Sequence, residues 1–302
     1  MAEHNSKKIY GLLGRNISYS LSPAMHNAAF NHFNIPAEYV IFDKEPDELK
    51  DFFETEVLTG KISGLNVTVP YKIDVKKMLD EWRTEIDALA LLSGAVNTIT
   101  VTEGRLKGYN TDTPGFLESL KVDAGYRSKP HDGNVFVAGA GGGSRAVCFI
   151  LAFTYRKLKN IYVYDTEESK SDTLMKNFQN ARKEFPDIPD ILRVVKQNER
   201  ENIIKSCDLI VNATPRGTNK GDESPVPSEW LKKGMTVYDL VYARETELVK
   251  AAKEKGITAV NGLGMLIAQA AHAFYLWEGK SLIEVNRVMK EKALEELRKR
   301  KA

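Results

Sequence analysis

Two kinds of stretch in this 302-residue chain carry groups whose type and spacing suit chemistry. The first is rich in glycine: residues 134–145 read NVFVAGAGGGSR. A β-branched and aromatic run, Val135-Phe136-Val137, leads into Gly139-Ala140-Gly141-Gly142-Gly143, and an apolar run over 146–152 follows. Strand, glycine turn and helix in that order are the setting of a dinucleotide site. Gly139 permits a tight turn, Gly141 lets backbone approach a pyrophosphate, and the N–H groups opening the helix face the anion. Ser144 stands where the third glycine or an alanine is usual, so a structural glycine turn is the competing reading. The second kind is polar residues at strand ends. Asn66, Thr68 and Lys72 flank Pro70 in NVTVPYK, Asn97 closes GAVN, and Asn110-Thr111-Asp112 opens a helix. Each alone has a plain structural reading. Residues 110–112 can cap the helix, Lys72 can lie on a surface, and Asn97 can sit in a turn.

The elements that must position these groups follow from periodicity. Residues 9–13 read as a first buried strand, and Ser22 followed by Pro23 reads as an N-cap and first helical position. The helix then runs to about residue 33. Strand 38–42, an amphipathic helix over 45–57, strand 62–69 stopped by Pro70, and helix 71–82 come next. A hairpin pairs 96–101 with 106–108, turned through 102–105. Helices alternating with strands make this half an α/β domain. Residues 112–122 form a helix leading out of it, and 123–133 a linker. Beyond lie six strands, at 134–138, 160–164, 191–195, 209–212, 235–240 and 257–260. This is the rhythm of a doubly wound parallel sheet whose ligand lies at the carboxyl ends of the strands. Helices over 262–277 and 282–300 close the chain. The first is apolar on nearly every side and is expected to be buried between the domains.

Composition narrows the class. A chain with 42% hydrophobic and 28% charged residues is globular and long enough for two cores. A net charge of +2 gives no reason to expect nucleic acid or an anionic membrane as partner. Cys148 and Cys207 sit in apolar contexts without metal-binding spacing, which implies buried thiols in a reducing compartment. With no apolar signal region in MAEHNSKK and no run of about 20 apolar residues, the expected location is the cytoplasm. The stretch 290–302 is basic but interleaved with glutamates, a solvated helix face. The histidines at 4, 26, 32, 131 and 272 have structural or solvent positions rather than catalytic ones.

Taken together, SYSLSP, NVTVPYK, GAVNT, NTD, GAGGGSR, NAT and GLGMLIAQAAHAF resemble the shikimate dehydrogenase family, in its order and approximate spacing along essentially the whole chain. The resemblance implies an N-terminal α/β substrate domain over 1–112, completed by helices in 263–302, and a Rossmann-type doubly wound nucleotide-binding domain over 113–262. It implies a cleft enzyme that interconverts 3-dehydroshikimate and shikimate with a nicotinamide cofactor, as a monomer or homodimer. Reducing a ketone by hydride needs a proton delivered to the developing alkoxide, and a desolvated lysine beside a carboxylate can supply it. The resemblance places those catalytic roles on Lys72 and Asp112. It places Ser20 and Ser22 on the substrate carboxylate, with Tyr242 reaching from the other domain. Ring hydroxyls fall to Asn66, Thr68, Asn97, Asp112 and Gln269, a set that can donate and accept in several directions. The pyrophosphate falls to Gly139, Ala140, Gly141, Gly142, Gly143, Ser144 and Arg145. The nicotinamide end falls to Asn212, Ala213, Thr214, Gly262, Gly264 and Met265.

One departure concerns the cofactor. Members that use NADP commonly carry Asn-Arg-Thr at the end of the second nucleotide-domain strand, where the arginine meets the 2′-phosphate. Here that place reads Tyr164-Asp165-Thr166, followed by two glutamates. An acid there ordinarily accepts from the free ribose hydroxyls of NAD, so NAD is expected as the preferred cofactor, with NADP not excluded. The neighbouring alternative is an NAD-dependent quinate/shikimate dehydrogenase of ring-acid breakdown. An alternative of another class is a ligand-binding sensor without catalysis, whose mark would be loss of Lys72 or Asp112 or an added DNA-binding segment. Neither mark is present.

Overall fold

A computed structural model describes residues 7–126 and 133–300. His4, His131 and most of the expected linker lie outside the described residues. The chain divides into two compact units, Met1–Thr111 with Ile267–Ala302, and Asp112–Leu266.

The first unit begins with β1 (Lys8–Gly14), α1 (Ser22–His32), β2 (Ala37–Asp43), α2 (Leu49–Phe52), β3 (Gly64–Val67) and α3 (Lys72–Glu81). It continues through β4 (Glu85–Ile86), α4 (Ala88–Ser93), β5 (Thr98–Thr102) and β6 (Arg105–Tyr109). The strands form one sheet in the order β2-β1-β3-β5-β6-β4. β1 pairs in parallel with β2 and β3, whereas β5 runs antiparallel to both β3 and β6. One core gathers Leu13, Phe53, Leu65, Val75, Leu79 and Ile99, all buried. Each such side chain contributes about 1.5–3 kcal/mol relative to exposure.

Three local outcomes differ from the periodicity. The expected helix over 45–57 is a 3₁₀ turn at Pro46–Glu48, the short α2 and a π turn at Phe53–Val57. The hairpin is tighter than expected: Glu103 and Gly104 both take positive φ, 51° and 73°, which the primed two-residue turn demands. α4 joins the list as an additional helix, capped at its start by the Asp87 carboxylate accepting from Ala90 N at 2.9 Å.

The second unit holds α5 (Asp112–Val122), β7 (Asn134–Ala138), α6 (Gly142–Thr154), β8 (Asn160–Tyr164), α7 (Glu168–Glu184) and β9 (Leu192–Val194). After these come α8 (Arg200–Lys205), β10 (Leu209–Asn212), β11 (Thr236–Asp239), α9 (Glu247–Glu254) and β12 (Thr258–Asn261). The sheet order is β9-β8-β7-β10-β11-β12, parallel throughout. The chain turns one way from β7 and the other way into β10, so the crevice of this doubly wound sheet opens at the carboxyl ends of those two strands. Both central strands are buried from Val135 to Ala138 and from Leu209 to Asn212, as parallel strands covered on both faces must be.

Two helices finish the chain, α10 (Leu263–Glu278) and α11 (Leu282–Lys299). From Ile267 onward α10 belongs to the first unit. There Phe274 lies 5.0 Å from the Phe30 ring, and Trp277 Nε1 donates to Ile99 O at 3.0 Å. α11 packs along α1.

Candidate active site

In the first unit the polar strand ends converge on one hydrogen-bonded chain. β3 supplies Asn66, the start of β5 supplies Asn97 and Thr98, and Thr111 follows β6; all four are buried. Asn66 Nδ2 donates to Thr98 Oγ1 at 3.0 Å and to Asn97 O at 3.3 Å. Asn97 Oδ1 accepts from Thr111 N at 2.7 Å, and its Nδ2 donates to Thr111 Oγ1 at 3.0 Å. Both donors of Asn66 are therefore used within the protein, and its oxygen keeps one acceptor site beside the one that Tyr39 uses. Asn97 keeps one N–H for another partner. Asn110 has a structural part different from the expected helix cap: its Nδ2 donates to Ser93 Oγ and Ala95 O, which ties the end of α4 to the end of β6.

A residue that periodicity did not single out holds this chain in place. Tyr39, on β2, donates its hydroxyl to Asn66 Oδ1 at 2.8 Å, and the Ser22 hydroxyl faces the same phenol. Tyr39 in turn stacks on His26 at 4.3 Å with the rings nearly parallel. Complete burial pushes the His26 imidazole down to about 3. It is neutral across ordinary pH and carries no proton for catalysis. Ser22 is not the cap of α1. Leu21 occupies that position, and Ser20 Oγ accepts from Ser22 N at 3.2 Å. With Pro23 next in line, the peptide N–H of Ser22 is the one needing an acceptor, and Ser20 provides it.

Lys72 is the first residue of α3, and its carbonyl accepts from Val96 N at 2.9 Å, beside Asn97. Its side chain is partly buried, as is Thr68. Asp112 opens α5, next in the chain to Thr111, and is buried to 9% exposure. By unit, Ser20, Ser22, Asn66, Thr68, Lys72, Asn97 and Gln269 fall in the first, and Asp112, Tyr242 and Met265 in the second.

The second unit offers an anion-binding turn. Gly139 has φ +98°, and a Cβ there would stand 3.1 Å from the Ala213 carbonyl, so only glycine joins β7 to the turn without strain. Gly141 caps α6, and the first backbone bond inside that helix is Arg145 N to Gly141 O at 3.1 Å. The N–H groups of Gly142, Gly143 and Ser144 thus have no acceptor one turn back, and the space above Gly141 and Gly142 is open. A pyrophosphate fits these donors. Gly262 has a reason within the fold to be bare: a Cβ would fall 2.2 Å from Leu240 O, so glycine lets the chain after β12 pass the end of β11.

Asn212 shapes the neighbouring loop. Its Oδ1 accepts from Thr214 N and Oγ1 at 3.0 and 2.7 Å, and its Nδ2 donates to Arg216 O and to Asp239 Oδ1. Asp239 also accepts from Thr246 Oγ1 at 2.6 Å and from Val241 N at 3.0 Å. Burial outweighs these bonds and raises the Asp239 carboxyl to about 6.

Alongside the turn lies a cavity of about 550 Å³, walled in part by Tyr164, Asp165, Lys170, Arg200 and Arg216. Asp165 already has a part in the fold. Its Oδ2 accepts from Ala140 N at 2.8 Å and its Oδ1 from Glu167 N at 2.9 Å, so it pins the glycine turn and the start of α7.

Comparison with known proteins agrees with this architecture. The shikimate dehydrogenase substrate binding domain matches residues 12–99, and the shikimate 5′-dehydrogenase C-terminal domain matches residues 262–282. A Methanocaldococcus jannaschii protein named shikimate dehydrogenase (NADP(+)) is 39% identical over 97% of this chain and 98% of its own. A shikimate dehydrogenase structure in complex with NADP+ superposes with a TM-score of 0.80 at 37% identity, covering 96% of each chain. The Thermus thermophilus enzyme in complex with shikimate gives 0.78 at 33% identity, over 96% of this chain and 99% of that one.

The expectation of NAD as preferred cofactor is overturned. Further relatives at 36–37% identity also carry NADP(+) in their names. In the fold Asp165 is partly engaged by the backbone of the glycine turn and of α7, and its charge is not alone on the cavity wall, which also carries Lys170, Arg200 and Arg216. This chain belongs to the shikimate dehydrogenase family.

Proposed function

We propose that the chain catalyses the reversible NADP-linked reduction of 3-dehydroshikimate to shikimate, within the supply of aromatic amino acids. The observation that carries this reading is the buried chain of Tyr39, Asn66, Thr98, Asn97 and Thr111, which leads directly into Asp112 and lies beside Lys72. A core buries so many amides and hydroxyls only when they are mutually satisfied or needed by a ligand. The acceptor left on Asn66 and the donor left on Asn97 suit adjacent ring hydroxyls of a polyol acid.

In this reading the bound nicotinamide supplies or accepts the hydride. Lys72 Nζ gives a proton to the oxygen that becomes a hydroxyl and removes it in the reverse direction. Asp112 orients that ammonium. Ser20 and Ser22 donate to the substrate carboxylate, with Tyr242 and Gln269 completing the hydrogen bonds to the acid and its hydroxyls. The donors of Gly142, Gly143 and Ser144 take the pyrophosphate, with Gly139, Ala140 and Gly141 shaping the turn and Arg145 following it. Asn212 positions Ala213 and Thr214, and Met265 packs at the nicotinamide end. Substrate residues occupy 1–112 with the C-terminal helices, and cofactor residues occupy 113–262.

Shikimate is favoured over quinate by the names of the relatives. The buried free thiols of Cys148 and Cys207 fit a reducing cytoplasm. Among the described residues no helix is long and apolar enough to cross a membrane. Sedimentation distinguishes a monomer from a homodimer. Initial rates with shikimate and quinate, each with NADP and NAD, test the proposal. A higher kcat/KM for quinate would overturn the substrate, and a higher kcat/KM for NAD would overturn the cofactor.

A further inference from the structure

We infer that Arg200 and Arg216 hold the 2′-phosphate of the cofactor, in place of an arginine at the end of the second nucleotide-domain strand. This rests on the NADP reading above and names the residues that would carry it. The strand-end position belongs to Asp165, whose carboxylate is bound to the glycine turn through Ala140 N and to α7 through Glu167 N. Lys170, the nearest cation in sequence, is also committed: its Nζ lies 2.6 Å from Glu167 Oε1. The Asp165 carboxylate has no donor to offer a phosphate, and the Glu167 carboxylate beside Lys170 offsets much of that lysine's charge.

The two arginines are placed differently. Arg200 opens α8, and its guanidinium lies 4.3 Å from the Tyr164 ring centre and 5.4 Å from that of Trp230. Those rings, and bonds from the guanidinium to Pro225 O at 2.6 Å and Gln197 Oε1 at 3.2 Å, fix its plane. Its Nε is buried without a partner, and among the described residues it makes no ion pair. Arg216 faces it from the loop after β10. That loop is held by Asn212, which accepts from Thr214 and donates to Arg216 O. Arg216 has Glu223, itself largely exposed, at 3.9 Å. Both arginines line the cavity.

Arg200, partly desolvated and without an ion pair, is costly until an anion joins it, and Arg216 stands on the same cavity wall. Burial acts most strongly against the charge on Arg200; the Tyr164 side chain works the other way, and the field of Arg216 adds to the burial. A phosphate dianion relieves both effects, and the planar fork of arginine matches its oxygens. Adenosine carrying a phosphate at the 2′ position is the ligand class that meets this charge beside an N–H-rich glycine turn.

The test is calorimetric titration of the full chain with adenosine 2′,5′-bisphosphate and with adenosine 5′-monophosphate, which differ only in the 2′-phosphate. The parent should bind the bisphosphate at least 10-fold more tightly, since charge-assisted hydrogen bonds discriminate by about that factor or more. Arg216→Met and Arg200→Lys should each lower bisphosphate affinity about 10-fold or more while changing monophosphate affinity less than about 3-fold. Arg216 is half exposed, so its replacement leaves the fold intact. A parent without preference between the ligands overturns the NADP reading and this subsite together. A parent with a preference that both variants keep overturns the subsite alone. Equal loss of both ligands in Arg216→Met also overturns it, because the arginine would then serve the nucleotide generally.

Discussion

At the scale of single residues, what could be read was chemical oddity, and what could not was tertiary company. Asn66, Asn97 and Asp112 stand out in sequence because amides and acids at the ends of apolar runs need partners. Tyr39 does not, since tyrosine in a strand looks like an ordinary half-buried aromatic. Asp165 suggested NAD because an acid there usually faces a ribose, and only the folded chain reveals that it also binds the Ala140 and Glu167 N–H groups and stands on a cavity wall with two arginines. Arg200 was silent, and Arg216, though unusual for its loop, suggested no role, for the same reason: they come from two segments that meet across the cavity. Two predictions belong here. Lys72→Ala should lower kcat by about 10²–10⁴ with a modest change in KM, the usual worth of a positioned acid–base group. A kcat within a few-fold of the parent would remove Lys72 from proton transfer. Tyr39→Phe keeps the ring stacked on His26 and deletes only the hydroxyl that orients Asn66. The lost bond is worth roughly 0.5–1.5 kcal/mol, so kcat/KM for shikimate should fall about 2–10-fold. Unchanged kinetics would show that Asn66 needs no such support or plays no part in binding.

At the scale of elements, period and punctuation together located most strands and helices. α5, β7, β8 and β10 lie where their apolar runs place them. The errors arise where a local signal was weak or overlooked. β4 and α4 were passed over although Asp87 and Gly94 bracket the helix: an N-cap carboxylate at one end, and at the other a glycine with φ +65°. The segment 45–57 has a hydrophobic face but is not one helix, because the Pro46 start and the π turn at Phe53–Val57 break its period. The start of α1 carries a prediction. Ser20 accepts the first-turn N–H of Ser22, whereas the Ser22 hydroxyl points to Tyr39. Ser20→Ala should therefore destabilise the chain by about 1 kcal/mol, or roughly 2–4 °C in Tm. Ser22→Ala should raise KM for shikimate with a smaller thermal effect. Thermal melts decide the matter: loss of Tm in Ser22→Ala alone would return the capping role to that residue.

At the scale of the whole molecule, two separately cored units were legible from the change in strand rhythm, but the electrostatic cost of joining the loops within the second unit was not. Asp239 reads in sequence as the polar end of a strand. In the fold it is fully buried, and it binds the Asn212 loop, the Val241 backbone and the Thr246 cap of α9. Desolvation raises its carboxyl from 3.8 to about 6, against the opposing pull of those three donors. A carboxyl with a higher pKa in the folded chain than in the unfolded one holds its proton more tightly when folded. Its contribution to stability is complete below about pH 4 and is lost as pH rises through about 6. Asp239→Asn removes the ionisation while keeping an oxygen for Asn212 and Val241. The Thr246 hydroxyl can turn to accept from the new amide. Relative to the variant, the parent should lose roughly 2–3 kcal/mol of stability between pH 4 and pH 7. Thermal melts across that range should show the variant gaining about 5–10 °C on the parent toward neutral pH. If the two sets of melting temperatures instead run parallel from pH 4 to pH 7, the Asp239 carboxyl ionises alike in both states, and the hydrogen bonds around it fully offset its burial.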